Sequence, residues 1–370
     1  MTAAAPRSKS GRLSAGLPDF PWDLLEPAKA IAAAHPDGIV DLSIGTPVDP
    51  VPELIQAALA AAADAPGYPL TSGTPAVRAA IGEWLFRVTG AAPGFSVLPT
   101  IGSKELVAWL PTLLGFGPGD VVGIPLVCYP TYEVGARLAG ASVMRTASVF
   151  DLDPAVTRMV WLNSPGNPDG SVISADDLAA AVAWARTHDV ILVSDECYLT
   201  LGWDEQPTSI LTACAGDYRN VIAVHSLSKR SNLAGYRAGF VAGDPDLVGE
   251  LLAVRKHAGM IVPQPVQAAM IAALDDEAHA LAQKERYRTR RSVLSLALRS
   301  AGFRIEASRA GLYLWATRDE DSWSTVDWLA RRGILAAPGA FYGPAGDSFV
   351  RVALTATDER IAAAVARLTA

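Results

Sequence analysis

The order of apolar runs along this chain predicts an α/β protein. The expected form is a large three-layer α/β/α domain on a mainly parallel sheet, joined to a smaller α+β domain. Three features lead to that expectation. Between residues 121 and 241, short apolar runs alternate with helical stretches, which implies parallel strands covered on both faces. From about Leu247 to Ala301 the pattern is helical, and further strand candidates with a last helix close the chain. A length of 370 residues leaves room for two domains at about 100–200 residues each.

Residues 1–16 carry Arg7, Lys9 and Arg12 with no acidic residue and read as a mobile tail. Their basic, serine-containing character also matches a transit peptide, whereas the lack of an apolar stretch excludes a secretory signal. Residues 17–44 are expected to pack with the small domain, 45–275 to form the large domain and 276–370 the small one. Trp22–His35 suits a helix, stopped by the turn His35–Pro36–Asp37–Gly38. Further helices are expected over Glu53–Ala63, which starts after Pro52, and over Pro75–Val88 and Ser103–Leu114. The strand candidates of the large domain are Val121–Ile124, Ser142–Arg145, Met159–Leu162, Ile191–Ser194, Val221–His225 and Ala238–Val241, with a helix at Ala175–Thr187. Phe303–Ala307, Gly311–Ala316 and Phe349–Leu354 are the strand candidates of the small domain, and its last helix begins at Asp358.

Composition narrows the function. With 31 Lys+Arg against 38 Asp+Glu the net charge is −7, so there is no basic footprint for nucleic acid. Half of the residues are hydrophobic, which argues against disorder. No apolar run approaches the roughly 20 residues of a membrane helix; Ala57–Ala63 is cut by Asp64 and Pro66. Cys128, Cys197 and Cys214 make an odd count without CxxC spacing, which fits a reducing, cytoplasmic setting and no structural metal. The 31 glycines and 26 prolines exceed average usage, and many fall just past the strand candidates.

The chemistry gathers at those strand ends, where open α/β sheets bind ligands. Lys229 stands in Ser226–Leu–Ser–Lys229 after one apolar strand, with Arg237 eight residues on. A lysine amine beside a phosphate cup of Ser226 and Arg237 is what a pyridoxal phosphate site requires. Asp195 ends another buried strand, where a carboxylate is costly without a cationic partner, and Tyr198 follows three residues later. Taken alone, Asp195 also suits a helix N-cap and Tyr198 a core tyrosine. Asn163–Ser–Pro–Gly–Asn167–Pro168 is dense turn chemistry after a third strand. Gly102–Ser103–Lys104 opens a helix whose N–H groups can face an anion.

In this order, Asn-x-Pro-x-Asn-Pro, Asp-x-x-Tyr and Ser-x-Ser-Lys with Arg at eight residues resemble fold-type I, aspartate-aminotransferase-like pyridoxal phosphate enzymes (class I/II aminotransferases). The resemblance covers about residues 20–368. It implies that Lys229 bonds the cofactor and shuttles the proton of transamination. Asp195 matches the partner of the pyridine nitrogen, and Tyr198 and Asn167 match the ligands of the 3′ oxygen. Gly102, Ser103, Lys104, Ser226 and Arg237 match the phosphate cup, and Tyr129 the aromatic stacked on the ring. Tyr68 matches the tyrosine that reaches the phosphate of a partner subunit, which implies a homodimer with shared sites. Gly45, Asn167 and Arg351 match the substrate contacts, with Arg351 as the bidentate clamp on the α-carboxylate. Two positions depart from the family pattern: Ser164 precedes Pro165, and Asp169 stands where Thr is common. Cys197, where small or polar residues are usual, reads as a buried neutral thiol.

Thr100–Glu105 with Leu42–Pro50 further resembles actinobacterial N-succinyldiaminopimelate aminotransferases of lysine biosynthesis, which use glutamate as amino donor. An acidic substrate tail calls for a cation at the pocket rim, with Lys104, Arg137, Lys256 and Arg309 as candidates. The alternatives are an aminotransferase for aspartate, alanine, aromatic amino acids or kynurenine, a carbon–sulfur lyase, and a non-enzymatic regulator on this fold.

Overall fold

The computed structural model describes residues 13–370. The tail expected over residues 1–16 lies outside the described residues as far as residue 12, and Leu13–Gly16 forms one 3-10 turn. The strands, in chain order, are β1 (Val40–Asp41), β2 (Ser96–Ile101), β3 (Val121–Pro125), β4 (Ser142–Thr146), β5 (Thr157–Asn163), β6 (Ile191–Asp195), β7 (Val221–Ser226), β8 (Ala238–Gly243), β9 (Arg304–Glu306), β10 (Tyr313–Thr317), β11 (Ile334–Leu335), β12 (Ala337–Pro338) and β13 (Val350–Ala353). Seven of them form one sheet in the order β2-β8-β7-β6-β5-β3-β4. All its pairs are parallel except those of β8, which runs antiparallel to both β2 and β7.

The period-two pattern of the strands sorts the core into two layers. Val160, Leu192, Val221 and Ala223 pack on one face with helices Pro75–Thr89, Ala175–His188 and Gln264–Asp275. Met159, Trp161, Val193, Ile222 and Val224 pack on the other with Gly102–Leu113 and Thr131–Ala139. Gly135 allows those last two helices to touch, because a Cβ there would come within 2.8 Å of the Val107 carbonyl oxygen.

A second core serves the four-stranded sheet β12-β13-β10-β9, and it includes Leu25, Ala28, Ala32, Val40 and Leu42 from the amino-terminal segment. Parallel pairing of β1 with β11 ties that segment to the same module. Among the described residues, no helix is long and apolar enough to cross a membrane.

Two of the differences from the sequence expectation have a proline behind them. β2 was not expected, because Pro99 interrupts its apolar run; the strand lies at the sheet edge, where a missing N–H is tolerated. The helix expected over Trp22–His35 begins as a 3-10 turn, Pro21–Leu25, and becomes α-helical only at Glu26–Ala33. Pro27 explains the break, since proline fits only the first turn of an α-helix.

One ion-pair cluster joins the two modules. Arg290, in the long helix Ala278–Ser300, binds both oxygens of Asp49 at 2.7 and 2.8 Å. Its Nε donates to Asp358, at the start of the last helix, at 2.7 Å. Gln283 donates to Asp49 at 2.7 Å and accepts from Asn232 at 3.0 Å, three residues beyond Lys229. Arg290 is 3% and Asp49 10% exposed. Removing one member of a buried pair leaves an uncompensated charge, so Arg290→Leu should cost about 3–5 kcal/mol. Asp358 is 77% exposed, so Asp358→Asn should cost less than about 1 kcal/mol. Urea midpoints of the two variants test this, and comparable losses would contradict it.

Candidate active site

The carboxyl ends of the parallel strands lie at one edge of the sheet, and because β8 runs the other way its start lies there too. A cavity of about 710 Å³ opens at that edge. Its wall brings together Gly45, Ser103, Lys104, Tyr129, Asn167, Asp195, Tyr198, Ser226, Lys229, Arg237 and Arg351. These residues were singled out from separate stretches of sequence. Gly102 sits directly behind Arg237, and Tyr68 is fully exposed, outside the cavity.

Asp195 ends β6 at the cavity floor. Its Oδ2 accepts from the Tyr132 hydroxyl at 2.8 Å and its Oδ1 from the Cys197 N–H at 3.1 Å. Among the described residues no cation pairs with it, and burial pushes its carboxyl above the ordinary range. Tyr132 is held in turn by stacking on Trp161, 4.6 Å between ring centroids. The Asn163 amide fixes the neighbouring loop: it donates to the Asp195 carbonyl at 2.9 Å and to the Pro165 carbonyl at 3.0 Å, and its oxygen accepts from the Asn167 N–H at 2.7 Å.

Lys229 follows β7 and points its Nζ at the Gly45 carbonyl, to which it donates. Burial lowers its pKa, which favours a neutral amine. Arg351, on β13, donates to the Asn167 side-chain oxygen at 2.9 Å and to the Ser43 carbonyl at 2.7 Å. Its guanidinium lies 3.9 Å from the Tyr313 ring centroid, and its Nε has no hydrogen-bond partner among the described residues. No acidic side chain pairs with it among the described residues. Tyr198 and Tyr313 share a hydroxyl contact of 3.1 Å.

At the opposite end, the helix Gly102–Leu113 presents the N–H groups of its first turn beside Arg237, Ser226 and Ser228. Gly102 has φ +69°, and a Cβ on it would overlap the Arg237 guanidinium. Together these groups form an anion cradle. Of the four rim cations expected from sequence, Lys104 alone lines the cavity. Arg137 is paired with Glu133 at 2.6 Å and Arg309 with Glu205 at 3.0 Å, and Lys256 lies on the exposed side of the helix Pro245–Ala258.

Sequence reasoning missed Tyr132, Tyr313 and Asn163 as site residues, and also Phe20 and Trp22, which line the cavity mouth. Asn163 lay within a motif already noted, whereas Tyr132 and Tyr313 look like any core aromatics. Cys197 lines the cavity, and burial together with the neighbouring Asp195 pushes its thiol well above the usual value.

Residues 37–368 match the family model for aminotransferase class I and II. A probable aminotransferase of Mycobacterium tuberculosis is 61% identical over 363 residues, covering 97% of this chain and 87% of the relative. The 4-dedimethylamino-4-oxo-anhydrotetracycline transaminase OxyQ of Streptomyces rimosus is 58% identical over 356 residues, covering 95% and 99%. Among solved structures, a probable N-succinyldiaminopimelate aminotransferase from Thermus thermophilus superposes with a TM-score of 0.86 at 29% identity, covering 95% of this chain and 99% of that one.

Two outcomes follow from the geometry. Gly102→Ala combines backbone strain with displacement of Arg237 and should weaken pyridoxal phosphate binding roughly tenfold or more in equilibrium dialysis. An unchanged affinity would mean that the cradle is not used. In the folded protein, Cys197 should resist iodoacetamide at mildly alkaline pH, because the thiolate is the reactive form; rapid labelling seen by mass spectrometry would contradict a neutral thiol.

Proposed function

The chain belongs to the class I and II aminotransferases, which work with pyridoxal 5′-phosphate, and we propose that it moves an amino group between glutamate or 2-oxoglutarate and N-succinyl-LL-diaminopimelate or its 2-oxo acid, in the diaminopimelate route to lysine. The proposed setting is the cytoplasm.

The wall of the cavity fits the cofactor. Asp195 is a buried carboxylate without a cation among the described residues, placed for a protonated ring nitrogen. The cradle of Ser103, Ser226, Ser228 and Arg237 suits its phosphate, Tyr129 its ring face, and Tyr198 and Asn167 its 3′ oxygen. When bound, pyridoxal phosphate supplies an electron sink for the bonding electrons released at the substrate α-carbon.

The protein's own groups do the rest. Arg351 binds the substrate α-carboxylate through its planar fork, with Asn167 and Ser43 fixing its plane. Lys229, its pKa lowered by burial, takes the α-proton on Nζ and gives it back at the other end of the transfer. Asp195 keeps its negative charge next to the ring nitrogen, while Tyr132 and the Cys197 N–H hold its two oxygens in place.

Lys104 carries the choice of an acidic substrate tail. It is the expected rim cation that lines the cavity, and it stands 5.5 Å from the Phe20 ring centroid. Glutamate and the N-succinyl group both end in a carboxylate that such a cation can meet. A second reading is a bulky ring ketone of the kind named for OxyQ. It is favoured by the apolar mouth of Phe20, Trp22 and Ile44, two of them aromatic, and by the 58% identity. We also propose that Tyr68, fully exposed here, serves the phosphate of a second copy in a homodimer; an active monomer in sedimentation would exclude that.

The deciding measurement is coupled glutamate release with N-succinyl-LL-diaminopimelate and 2-oxoglutarate. Aspartate, alanine, aromatic amino acids, kynurenine and a polycyclic amine are assayed as competing donors, and pyruvate and ammonia are monitored without acceptor. The succinylated donor should give the highest kcat/KM. At saturating cofactor, Lys104→Ala should raise its KM roughly tenfold, the loss of one exposed charge-assisted contact, and leave that of alanine unchanged. Preference for the polycyclic amine would favour the second reading. Release of pyruvate and ammonia without acceptor would favour a lyase. Lys229→Ala should abolish both turnover and the cofactor's visible absorption band.

A further inference from the structure

Behind the cavity floor lies a buried acid–imidazole contact that the chemistry above does not use. Glu196 follows Asp195, and His225 precedes Ser226. His225 Nε2 stands 3.5 Å from Glu196 Oε2, with side-chain exposures of 3% and 0%. Neither of these two atoms makes a hydrogen bond among the described residues. The other carboxyl oxygen, Oε1, accepts from the Ile210 N–H at 2.7 Å, so it must keep its lone pair. The His225 ring is sandwiched between Phe240, stacked at 5.0 Å, and the edge of Trp84 at 5.5 Å.

We infer that Glu196 and His225 share one proton as a neutral pair, in which the Glu196 acid donates from Oε2 to His225 Nε2, so that Asp195 is the only charged carboxylate at the cavity floor. The function assigned to Asp195 rests on the aminotransferase reading; the position of the proton does not.

Charge on every side favours the neutral state. Arg230, on the turn beyond Lys229, lies 5.2 Å over the Trp84 ring and opposes a second cation on His225. Its own charge is answered by Glu277 at 3.0 Å. Asp195, adjacent in the chain, opposes a second anion on Glu196. The remaining titratable neighbours, Cys197 and Cys214, are thiols that burial keeps protonated. Burial pushes Glu196 up to about 7 and His225 down to about 3. A carboxylic acid donating to imidazole meets the needs of both unpartnered atoms without placing a net charge in an apolar shell.

The test uses the holoenzyme without substrate. Infrared spectra at neutral pH should show the carbonyl stretch of a protonated carboxyl, absent in Glu196→Gln. Nitrogen-15 NMR of the wild type, which needs no variant, should show a neutral His225 ring protonated on Nδ1. Glu196→Gln replaces one neutral donor by another, so the pH midpoint of the cofactor's visible band should stay in place. An ionised Glu196 would make the same substitution remove a negative charge beside Asp195 and shift that midpoint. Loss of the infrared band in the wild type, its persistence in the variant, an imidazolium signal from His225 or a shifted midpoint would each overturn the inference. A failed transaminase assay would leave the infrared and NMR results intact, so the two failures are distinguishable.

Discussion

An arginine cannot shed its charge in a protein, and Arg351 keeps its charge at 2% exposure without a carboxylate partner among the described residues. Burying such an ion costs several kcal/mol, which only close neutral partners can offset. Here they are the Ser43 carbonyl, the Asn167 amide oxygen and the ring faces of Tyr313 and Tyr342, 3.9 and 4.9 Å from the guanidinium carbon. These four partners come from the amino-terminal segment, the loop after β5, the strand β10 and the turn before β13. The mutual placement of the sheets is thus tied to one guanidinium, whose buried Nε has no hydrogen-bond partner among the described residues.

The complementary constraint is Asp195, a carboxylate equally short of an opposite charge. Around these two ions, burial biases the remaining titratable groups toward neutrality. The hydroxyls of Tyr129, Tyr132 and Tyr198 and the thiol of Cys197 are pushed up, and the amine of Lys229 is pushed down. Such a wall favours a ligand that brings a cation to Asp195 and an anion to Arg351. It also leaves Lys229 able to accept a proton, which a solvated lysine at neutral pH cannot do.

Much of this was legible in the sequence because strand ends are punctuated. The parallel strands from Val121 onward stood out as apolar runs, and polar residues at or after the ends of β5, β6 and β7 face the cavity. Lys229, Asp195, Asn167 and Arg237 were all found that way, from the residue types and their spacing. What stayed hidden depends on tertiary contacts. Pro99 masked an edge strand, and Pro27 shortened a helix from its amino-terminal side. Tyr132 and Tyr313 act through hydroxyls that meet partners 63 and 115 residues away, and no local pattern separates them from core aromatics. Phe20 and Trp22 reach the cavity only because the amino-terminal segment folds back over the small module, which its own composition does not announce.

Lys104 joins the two ends of the site. It belongs to the helix turn that forms the anion cradle, and its amine also faces Phe20 at the mouth. Burial and the nearby charge of Arg237 both lower its pKa. An anion seated between Ser103 and Arg237 offsets the second of these effects. Because one side chain borders both subsites, the acidic-tail selection proposed for Lys104 is coupled electrostatically to occupancy of the phosphate cradle, without movement of the backbone.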